Sequence, residues 1–539
     1  MKRFYLLLLS ILSGLLFSFA WPMHGLPSLL FTAFVPLLII EDYLWRRRHE
    51  NSAFTITSYV FPAFLIWNLL TTWWIVHSTA VGAILAIALN SVFMTFWFTL
   101  FHFTRRTLIK PPQGYLSLIF YWITFEFIHH HWSLNWPWLS LGNGFSAYPS
   151  WIQWYEFTGI FGGSVWVLAT NLLIFYGYKS LQKHFTLNRF INRSLCVFAV
   201  ILIPVFISQV IYKAWEKESG NPVDIVVVQP NLDPWLEQYE LDPLEVVDRN
   251  WNLALLKLDE SVDFIVCPES AIQEYIWEHQ IESSASIRRF RKYLHDFPRA
   301  RLVIGLSSRK MYWAGDTPSH TARKFRDAEL FYDAHNTAII LDTSQSYQLY
   351  YKSKLTPGVE QMPLTRYLKF IEGFALDLGG TVGSLGIQRE RTPFITHEGL
   401  KIATAICYES VYGEFMAGFV RNGANMIFVI TNDGWWEDTP GHRQHLLFSS
   451  VRAIETRRAI ARSANTGISC FVNKRGDIMQ PTAYWEPDVI RQVLYTGEEE
   501  TFYVRFGDYI ARISAFGAVL MLLITIMLRL KNRHAAKAK

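Results

Sequence analysis

The segment Leu400-Lys-Ile-Ala-Thr-Ala-Ile-Cys407-Tyr-Glu409-Ser is a short apolar run that gives way at once to polar residues. A run of this length and composition predicts a buried β-strand that ends at Cys407. Helical patterns occur at residues 286–295 and 442–463, and a hairpin pattern joins 468–473 to 477–480. Further buried strands are predicted at residues 224–228, 263–266, 301–306, 337–341 and 426–430. Strands that alternate with helices predict an α/β domain whose sheet is covered by helices.

Two other predicted strands are each followed by a charged residue. The turn Cys-Pro268-Glu269-Ser follows the strand at 263–266. Lys352 follows the run Tyr347-Gln-Leu-Tyr-Tyr. Because the carboxyl ends of strands in an α/β sheet are where ligands gather, we expect Glu269, Lys352 and Cys407 to converge there.

These three groups are chemically complementary. A free thiol is little ionised at neutral pH, so a nucleophilic cysteine needs a base, a nearby cation, or both. Glu269 can accept the proton, and Lys352 can stabilise the thiolate and the oxyanion of a tetrahedral intermediate, with backbone N–H groups after Cys407 as helpers. Either Glu360 or Glu409 can hold Lys352 in place. Each residue alone also has a structural explanation, since a buried cysteine is commonly a small apolar side chain.

The rest of the chain is unusually apolar. Of its 539 residues, 51% are hydrophobic and 16% aromatic, and the uncharged runs are concentrated in the first 215 residues. A helix of about 17 to 25 apolar residues spans a bilayer. Eight such spans are predicted near residues 4–20, 26–40, 53–76, 80–103, 114–131, 160–178, 195–212 and 510–528.

The positions of lysine and arginine predict the topology of these spans. Basic loops occur on alternate sides of the predicted membrane domain, and the short loops between them carry no lysine or arginine. Because such loops stay in the cytoplasm, both termini are predicted to be cytoplasmic. The predicted domains are a seven-span unit at 1–213, an extracytoplasmic domain at 214–507, a final span at 508–530 and a basic cytoplasmic tail at 531–539. A cleavable signal peptide is the alternative for the first span.

Three further features have two interpretations each. The Trp-rich segment 131–159 is either an interfacial belt or a lid at a lipid entrance. The apolar stretch from Tyr367 to Leu376 is either a helix packed on the sheet or an arm that dips into the membrane interface, and Trp435 and Trp436 could line the same entrance. Glu126, inside the fifth span, must face protein or water.

Charge and cysteine content exclude several classes of protein. The formal net charge is only +5, and no dense basic block suggests a nucleic-acid groove. Four cysteines do not make a disulfide framework, although a bridge from Cys267 to Cys470 is compatible with an exported domain. His442 and His445 lack metal-ligand spacing. We therefore expect neither a metal nor a cofactor.

Taken together, the motifs resemble those of a known superfamily. The order of Glu, Lys and Cys within C-P-E-S, K-x-x-L-x-P-x-x-E and I-C-Y-E-S resembles the nitrilase, or carbon–nitrogen hydrolase, superfamily, whose fold is an α-β-β-α sandwich. A domain of this kind inserted between the seventh and eighth of eight membrane spans resembles the apolipoprotein N-acyltransferase family. The runs at 135–142 and 431–436 match that family's pattern. So do Gln444, His445, Arg452, Glu455, Arg458, Arg462, Asn465 and Gly467.

The resemblance implies a role for each matching residue. Cys407 is implied as the nucleophile, Glu269 as the general base and Lys352 as the stabiliser of oxyanion and thiolate. Glu360, Tyr408 and Glu409 are implied as supporting residues. Gly358-Val359 and Lys354 depart from the family's usual residues, and the family's early tryptophan matches either Trp235 or Tyr239.

The resemblance also implies the reaction and its setting. The enzyme is expected to transfer a fatty acyl group from a membrane phospholipid, through a Cys407 thioester, to the N-terminal α-amino group of a diacylglyceryl apolipoprotein. It is expected to be a monomer in the bacterial inner membrane with a periplasmic catalytic domain. Two other functions remain open: a membrane-tethered amidase that hydrolyses small amides, and a non-enzymatic receptor with a degenerate nitrilase domain.

Overall fold

The computed structural model describes residues 3–22, 25–108, 113–361 and 384–537. The described residues divide into two compact units. The first lies within residues 1–76, 80–213 and 506–539, and the second within 77–79 and 214–505. The stretch from Tyr367 to Leu376, with its two interpretations, lies outside the described residues.

The first unit is helical. Its first eight helices are α1 (Arg3–Ala20), α2 (Leu30–Ala33), α3 (Val35–Arg46), α4 (Thr57–Thr72), α5 (Ala80–Thr107), α6 (Gln113–His129), α7 (Tyr155–Lys183) and α8 (Leu187–Ala214). Among the described residues, seven helical segments are long and apolar enough to cross a membrane. They are Arg3–Ala20, Pro27–Arg46, Ala53–His77, Ala80–Thr107, Tyr155–Lys183, Leu187–Ala214 and Tyr509–Ala535. The predicted fifth span corresponds to α6, which is not among these seven segments. Helix α6 has 17 residues, one fewer than α1, which is the shortest of the seven.

Glu126 of α6 is buried in protein. Its Oε1 accepts hydrogen bonds from Trp122 Nε1 at 3.1 Å and from the Leu141 backbone N–H at 2.8 Å, and its Oε2 accepts one from Ser164 Oγ at 2.6 Å. Gly142 lies so close to α7 that a Cβ would stand 2.0 Å from the Ile160 carbonyl oxygen. The carboxylate therefore fixes the turn at residues 137–145 within this unit, where Trp138 is fully buried.

The second unit contains two sheets. The eight-stranded sheet holds β1 (Pro222–Gln229), β2 (Phe264–Val266), β3 (Ile272–Trp277), β4 (Arg301–Tyr312), β5 (Arg323–Lys324), β6 (Phe331–Leu341), β7 (Tyr347–Tyr351) and β14 (Asp488–Tyr495). The six-stranded sheet holds β8 (Phe394–Ile395), β9 (Lys401–Ile406), β10 (Met426–Thr431), β11 (Ile460–Ala464), β12 (Cys470–Val472) and β13 (Ile478–Met479).

Each sheet has a parallel centre. The first runs in the order β14-β1-β2-β4-β6-β5, with β3 paired to β4 and β7 to β6, and β1, β2 and β4 are parallel. The second runs β13-β12-β11-β10-β9-β8, with β9, β10 and β11 parallel. The sheets pack face to face, since the Phe264 and Phe428 rings lie 5.2 Å apart and Ser463 Oγ donates to the Val228 carbonyl at 2.7 Å. The predicted hairpin is confirmed by the antiparallel pairing of β12 and β13.

Helices cover the outer faces. Helices α9 (Pro243–Leu255) and α10 (Ala285–Leu294) share a core with the first sheet, and α11 (Gly413–Arg421) and α12 (Pro440–Thr456) pack on the second. In α10, Ile287, Phe290 and Leu294 recur at helical spacing and are fully buried. Burial of each such side chain contributes roughly 1.5–3 kcal/mol. The result is an α-β-β-α sandwich, followed by α13 (Phe502–Phe506) and α14 (Tyr509–Lys537).

The predicted helix at 442–463 was wrong at its C-terminal end. The helix ends at Thr456, and Arg457 has a left-handed backbone with φ of 49°. Residues Ile460–Ala464 form β11, because they pair in parallel with β10. The tertiary pairing thus overrides a helical pattern.

The cysteines are unpaired. Cys196, Cys267, Cys407 and Cys470 all lie in the described part of the chain, and each is a free thiol. The Cys267–Cys470 bridge considered above is not formed.

Candidate active site

Glu269 sits where β2 gives way to a turn. The turn is fixed by main-chain bonds from Cys267 N to the Val303 carbonyl at 2.8 Å and from Gly305 N to the Pro268 carbonyl at 3.0 Å. Gly305 must lack a side chain, because a Cβ there would lie 2.5 Å from Ser270 N and 2.7 Å from Glu269 Cα. The carboxylate is nearly buried, with 6% of the residue exposed.

Lys352 follows β7 and meets two carboxylates. Its Nζ donates to Glu269 Oε1 at 3.0 Å and to Glu360 Oε1 at 2.9 Å, and only 1% of the residue is exposed. Burial acts to lower the pKa of this ammonium, but the charges of Glu269 and Glu360 outweigh it and raise the pKa well above its usual value. Burial likewise opposes ionisation of Glu360, and Lys352 lowers the pKa of that carboxyl overall. Lys352 is therefore a cation in the neutral range.

Asn336 joins the same cluster and was missed by the sequence reasoning. Its side-chain Nδ2 donates to Glu269 Oε1 at 2.7 Å and to Glu360 Oε1 at 3.0 Å. Its backbone carbonyl oxygen accepts a hydrogen bond from the backbone N–H of Lys352 at 2.9 Å. The available signal was a polar residue at the edge of the apolar run at 337–341. Asn336 thus fixes the positions of two carboxylates and one ammonium.

Cys407 is the first residue after β9. It opens a short 3₁₀ helix, Cys407–Val411, and has a left-handed backbone with φ of 51°. Burial and the charge of Glu269 raise the pKa of the thiol well above its usual value, and Lys352 only partly offsets this. The raised pKa keeps the resting residue a thiol in the neutral range.

Glu409 and Glu360 have different tasks. Glu360 contacts Lys352, which resolves one of the two alternatives above, and its Oε2 accepts from Thr356 N at 2.9 Å. Glu409 Oε1 accepts from Ser353 N at 2.6 Å and from Tyr350 Oη at 2.7 Å, and its Oε2 accepts from Ile406 N at 2.8 Å. Glu409 therefore joins the segment that follows Lys352 to the strand that precedes Cys407.

The other expected supporting residue is Tyr408. It is 3% exposed, and its ring packs edge-on against Tyr412 at 5.3 Å. Burial raises the pKa of its hydroxyl, although a hydrogen bond with Tyr412 lowers it. Tyr408 thus follows Cys407 in sequence, and its side chain contacts Tyr412.

The segment after β10 also reaches Glu269. The backbone N–H of Asn432 donates to Glu269 Oε2 at 3.1 Å, and Asn432 Nδ2 donates to Gln238 Oε1 at 2.6 Å. Asn465 Nδ2 in turn donates to Asn432 Oδ1 at 3.2 Å. These amides are further site residues to which the sequence reasoning gave no role.

Aromatic side chains lie beside this cluster. The ring of Trp435 is 4.6 Å from that of Trp235 and 6.3 Å from that of Tyr239. Burial and the charge of Glu269 raise the pKa of Tyr239 to about 12. Both Trp235, which is 54% exposed, and Tyr239 therefore belong to one aromatic group at the site.

The arrangement combines a buried thiol, a carboxylate in contact with an ammonium, and an apolar border. Among the described residues, no group of three or more His, Cys, Asp or Glu side chains could hold a metal ion. An α-β-β-α sandwich with Glu, Lys and Cys at its strand ends is a nitrilase-fold domain, and here it belongs to a membrane protein.

Comparison with known proteins identifies the family. The family model for the apolipoprotein N-acyltransferase N-terminal domain matches residues 13–173, and the carbon–nitrogen hydrolase model matches residues 227–495. An apolipoprotein N-acyltransferase of Chlorobaculum tepidum is 28% identical over 529 residues, covering 95% of this chain and 94% of that protein. One from Geobacter metallireducens is 24% identical, covering 98% and 96%. A solved amidase of the nitrilase superfamily from Nesterenkonia is 16% identical and covers 55% of this chain and 97% of its own, with a TM-score of 0.36.

The chain belongs to the apolipoprotein N-acyltransferase family. It is a membrane-associated N-acyltransferase that acts in lipoprotein N-acylation.

Proposed function

We propose that this enzyme transfers a fatty acyl chain from a membrane phospholipid to the N-terminal α-amino group of a diacylglyceryl-cysteine apolipoprotein, through a thioester on Cys407. The observation that carries the proposal is the contact of Lys352 Nζ with Glu269 Oε1, at 3.0 Å, beside the buried Cys407 thiol. Family membership supplies the lipoprotein acceptor. The phospholipid donor follows from the need for an acyl ester within a membrane.

In the first half-reaction the Cys407 sulfur attacks the carbonyl carbon of the phospholipid ester. Glu269 takes the thiol proton as the carbon–sulfur bond forms. The tetrahedral oxyanion is stabilised by the ammonium of Lys352 and by backbone N–H groups after Cys407. Collapse of the intermediate breaks the carbon–oxygen bond, and Glu269 returns the proton to the departing lysophospholipid oxygen.

In the second half-reaction the α-amino group of the apolipoprotein attacks the thioester. Glu269, again ionised, accepts a proton from the nitrogen, and the carbon–sulfur bond breaks. The proton then restores the Cys407 thiol. Because one site serves both half-reactions, the kinetics are expected to be ping-pong.

The supporting residues keep the charged groups in place. Glu360 and Asn336 hold Lys352 and Glu269 by the contacts given above. Glu409 ties the segment after Lys352 to the end of β9, and Tyr408 follows the nucleophile. The raised pKa of the Cys407 thiol supports a mechanism in which the base acts during attack instead of a resting thiolate.

The proposed setting is the bacterial inner membrane. The distribution of basic loops supports cytoplasmic termini and a periplasmic catalytic domain. We further propose the division into domains at residues 213, 507 and 530, and a monomeric enzyme. Fusion of an alkaline phosphatase reporter after residue 300 should give high activity, and fusion after residue 535 should give low activity. The opposite pattern would contradict the orientation.

The chemical proposal is tested by thioester capture. Purified enzyme incubated with acyl-labelled phospholipid should retain the label on Cys407, and hydroxylamine should release it. Cys407→Ala should abolish both label and lipoprotein acylation. Cys196→Ala is the matched control, because Cys196 is a free, exposed thiol outside the site, and it should retain both.

Two outcomes would overturn the proposal. Retention of acylation by Cys407→Ala would remove the nucleophile. Turnover of small amides by the wild-type enzyme, with no acyl label on Cys407, would support the amidase alternative instead.

A further inference from the structure

A chain of buried polar groups reaches the backbone of Cys407. Arg462 of β11 donates from Nη2 to Asp433 Oδ2. His445 of α12 lies with Nδ1 3.0 Å from Asp433 Oδ1, and its Nε2 lies 3.2 Å from the Cys407 carbonyl oxygen. Arg462, Asp433 and His445 are each 0% exposed. This chain has no part in the acyl-transfer chemistry proposed above.

Both ring nitrogens of His445 face acceptors, and Nδ1 also lies 3.1 Å from the donor Arg462 Nη2. The Cys407 carbonyl oxygen can only accept, so the hydrogen bond from Nε2 requires a ring proton there. Asp433 is a carboxylate, since His445 and Arg462 outweigh its burial and hold its pKa well below the usual range. It therefore also acts as an acceptor toward Nδ1.

The same carbonyl receives a second donor. Ser410 Oγ donates to the Cys407 carbonyl at 2.8 Å and lies 2.9 Å from His445 Nε2. Thr431 Oγ1 donates to Asp433 Oδ1 at 2.7 Å, and Thr431 also hydrogen-bonds with the Cys407 thiol. Asp433 thus contacts both His445, which reaches the Cys407 carbonyl, and Thr431, which reaches the Cys407 thiol.

The hydrogen bonds to the Cys407 carbonyl stabilise an unfavourable backbone conformation. Cys407 has φ of 51°, a region that side chains other than glycine occupy only when the surrounding structure imposes it, at a cost of roughly 1–3 kcal/mol. Release of the carbonyl would let the peptide relax and turn the thiol away from Glu269 and Lys352. A displacement of about 1 Å can cost on the order of 100-fold in rate.

We propose that His445, oriented by Asp433 and Arg462, is a positioning residue for the nucleophile, which it serves by donating a hydrogen bond from Nε2 to the Cys407 carbonyl. Its proposed action is on the backbone of Cys407. The inference rests on the proposed role of Cys407. The hydrogen bond from His445 is expected to affect the rate of thioester formation and to leave binding of the acyl donor unchanged.

Two isosteric substitutions separate the two ends of the imidazole. In His445→Gln the amide nitrogen can replace Nε2 and donate to the Cys407 carbonyl. In His445→Asn the amide nitrogen can replace Nδ1 and donate only to Asp433. A general packing role of the buried ring would make both variants equally harmful, whereas the proposed role predicts rescue by glutamine alone.

The experiment measures thioester formation with acyl-labelled phospholipid in full-length enzyme. His445→Ala and His445→Asn should lower the rate about 100-fold, with apparent KM for the donor within about twofold, and His445→Gln should recover at least about tenfold of that loss. His442→Gln is the matched control, because His442 is buried on the same helix and contacts Asp438 and Tyr484 instead. It should keep a rate near that of the wild type.

A second readout needs no lipid substrate. In a Cys196→Ser background, alkylation of Cys407 by iodoacetamide should slow in His445→Ala and recover in His445→Gln. Equal rates in all variants by both readouts, or rescue by asparagine, would overturn the inference. If the wild-type enzyme acquires no acyl label while the alkylation pattern holds, the proposed function fails and the positioning role stands.

Discussion

Glu409 Oε1 accepts a hydrogen bond from the backbone N–H of Ser353 at 2.6 Å. Lys352, the residue before Ser353, carries the ammonium, and Glu409 lies two residues after Cys407. The other carboxylate oxygen accepts from Ile406 N at 2.8 Å. One buried side chain therefore sets the distance between the strand ends of the two sheets that bear Lys352 and Cys407.

This carboxyl predicts a pH dependence of stability. Burial raises the pKa of Glu409 to about 7, against the hydrogen bonds from Ile406 and Ser353, which lower it. Between roughly pH 4.5 and pH 7 the unfolded state loses this proton while the folded state keeps it, so unfolding becomes easier as pH rises through this window. The contribution is present below about pH 4.5 and lost above about pH 7.

The measurement compares thermal unfolding midpoints of the wild type and Glu409→Gln across pH 4–8. Glu409→Gln should lack the part of the decrease in the unfolding midpoint that titration of Glu409 causes. It should also be less stable by about 1–3 kcal/mol at its best pH, because an amide N–H₂ must face a backbone N–H. Parallel pH curves for the two proteins would contradict the assignment.

Replacement of Lys352 by methionine should harm both folding and catalysis. Glu269 and Glu360 would lose their shared cation, and an uncompensated buried charge costs about 3–5 kcal/mol. Thioester formation on Cys407 should become undetectable. In the double variant Lys352→Met with Glu360→Gln, we expect the thermal midpoint to recover in part and the activity to stay absent. Acyl labelling in the single variant would show that the ammonium is dispensable.

Asn336→Ala should lower the rate of thioester formation by roughly 10- to 100-fold, because hydrogen bonds to charged groups contribute about 1.5–3 kcal/mol each. Asn336→Asp should be worse, since it adds a third carboxylate to the cluster. Asn250→Ala provides the comparison: Asn250 is buried as well, but it donates to the Val246 carbonyl within α9. A larger loss in Asn250→Ala than in Asn336→Ala would count against a role for Asn336 in the site.

Gly305→Ala should displace Glu269. The added methyl group meets backbone atoms of Glu269 and Ser270, which cannot rotate away as a flexible side chain can. We expect a loss of activity of at least about tenfold, consistent with the sensitivity of catalysis to small displacements. Gly177→Ala, where the methyl group meets only Arg193 Cβ at 3.7 Å, should leave the acylation rate near that of the wild type. Normal acylation by Gly305→Ala would refute the steric argument.

Local sequence was sufficient for much of the fold. Short apolar runs ending at residues 266, 406 and 430 predicted strands, and these strands were found, because burial on both faces of a sheet leaves a recognisable run. Long apolar segments likewise predicted helices of membrane-spanning length. The order of Glu269, Lys352 and Cys407 was enough to suggest the family to which the chain belongs.

Other features depended on contacts between distant residues. Residues 460–464 follow a helical pattern but form β11, since pairing with β10 satisfies their backbone groups. Asn336 and Asn432 carry no local signal of their contacts with Glu269, and the choice between Glu360 and Glu409 as partner of Lys352 rested on where each carboxylate falls in space.

The order of the amino acids was enough to identify the chemical groups and the segments apolar enough for a sheet interior or a membrane. The contact of Lys352 with two carboxylates, and that of His445 with the carbonyl of Cys407, became visible only in the folded chain. Composition and periodicity reflect only a few neighbouring residues. The electrostatics of a site arise from side chains that the fold brings together from far apart in the chain.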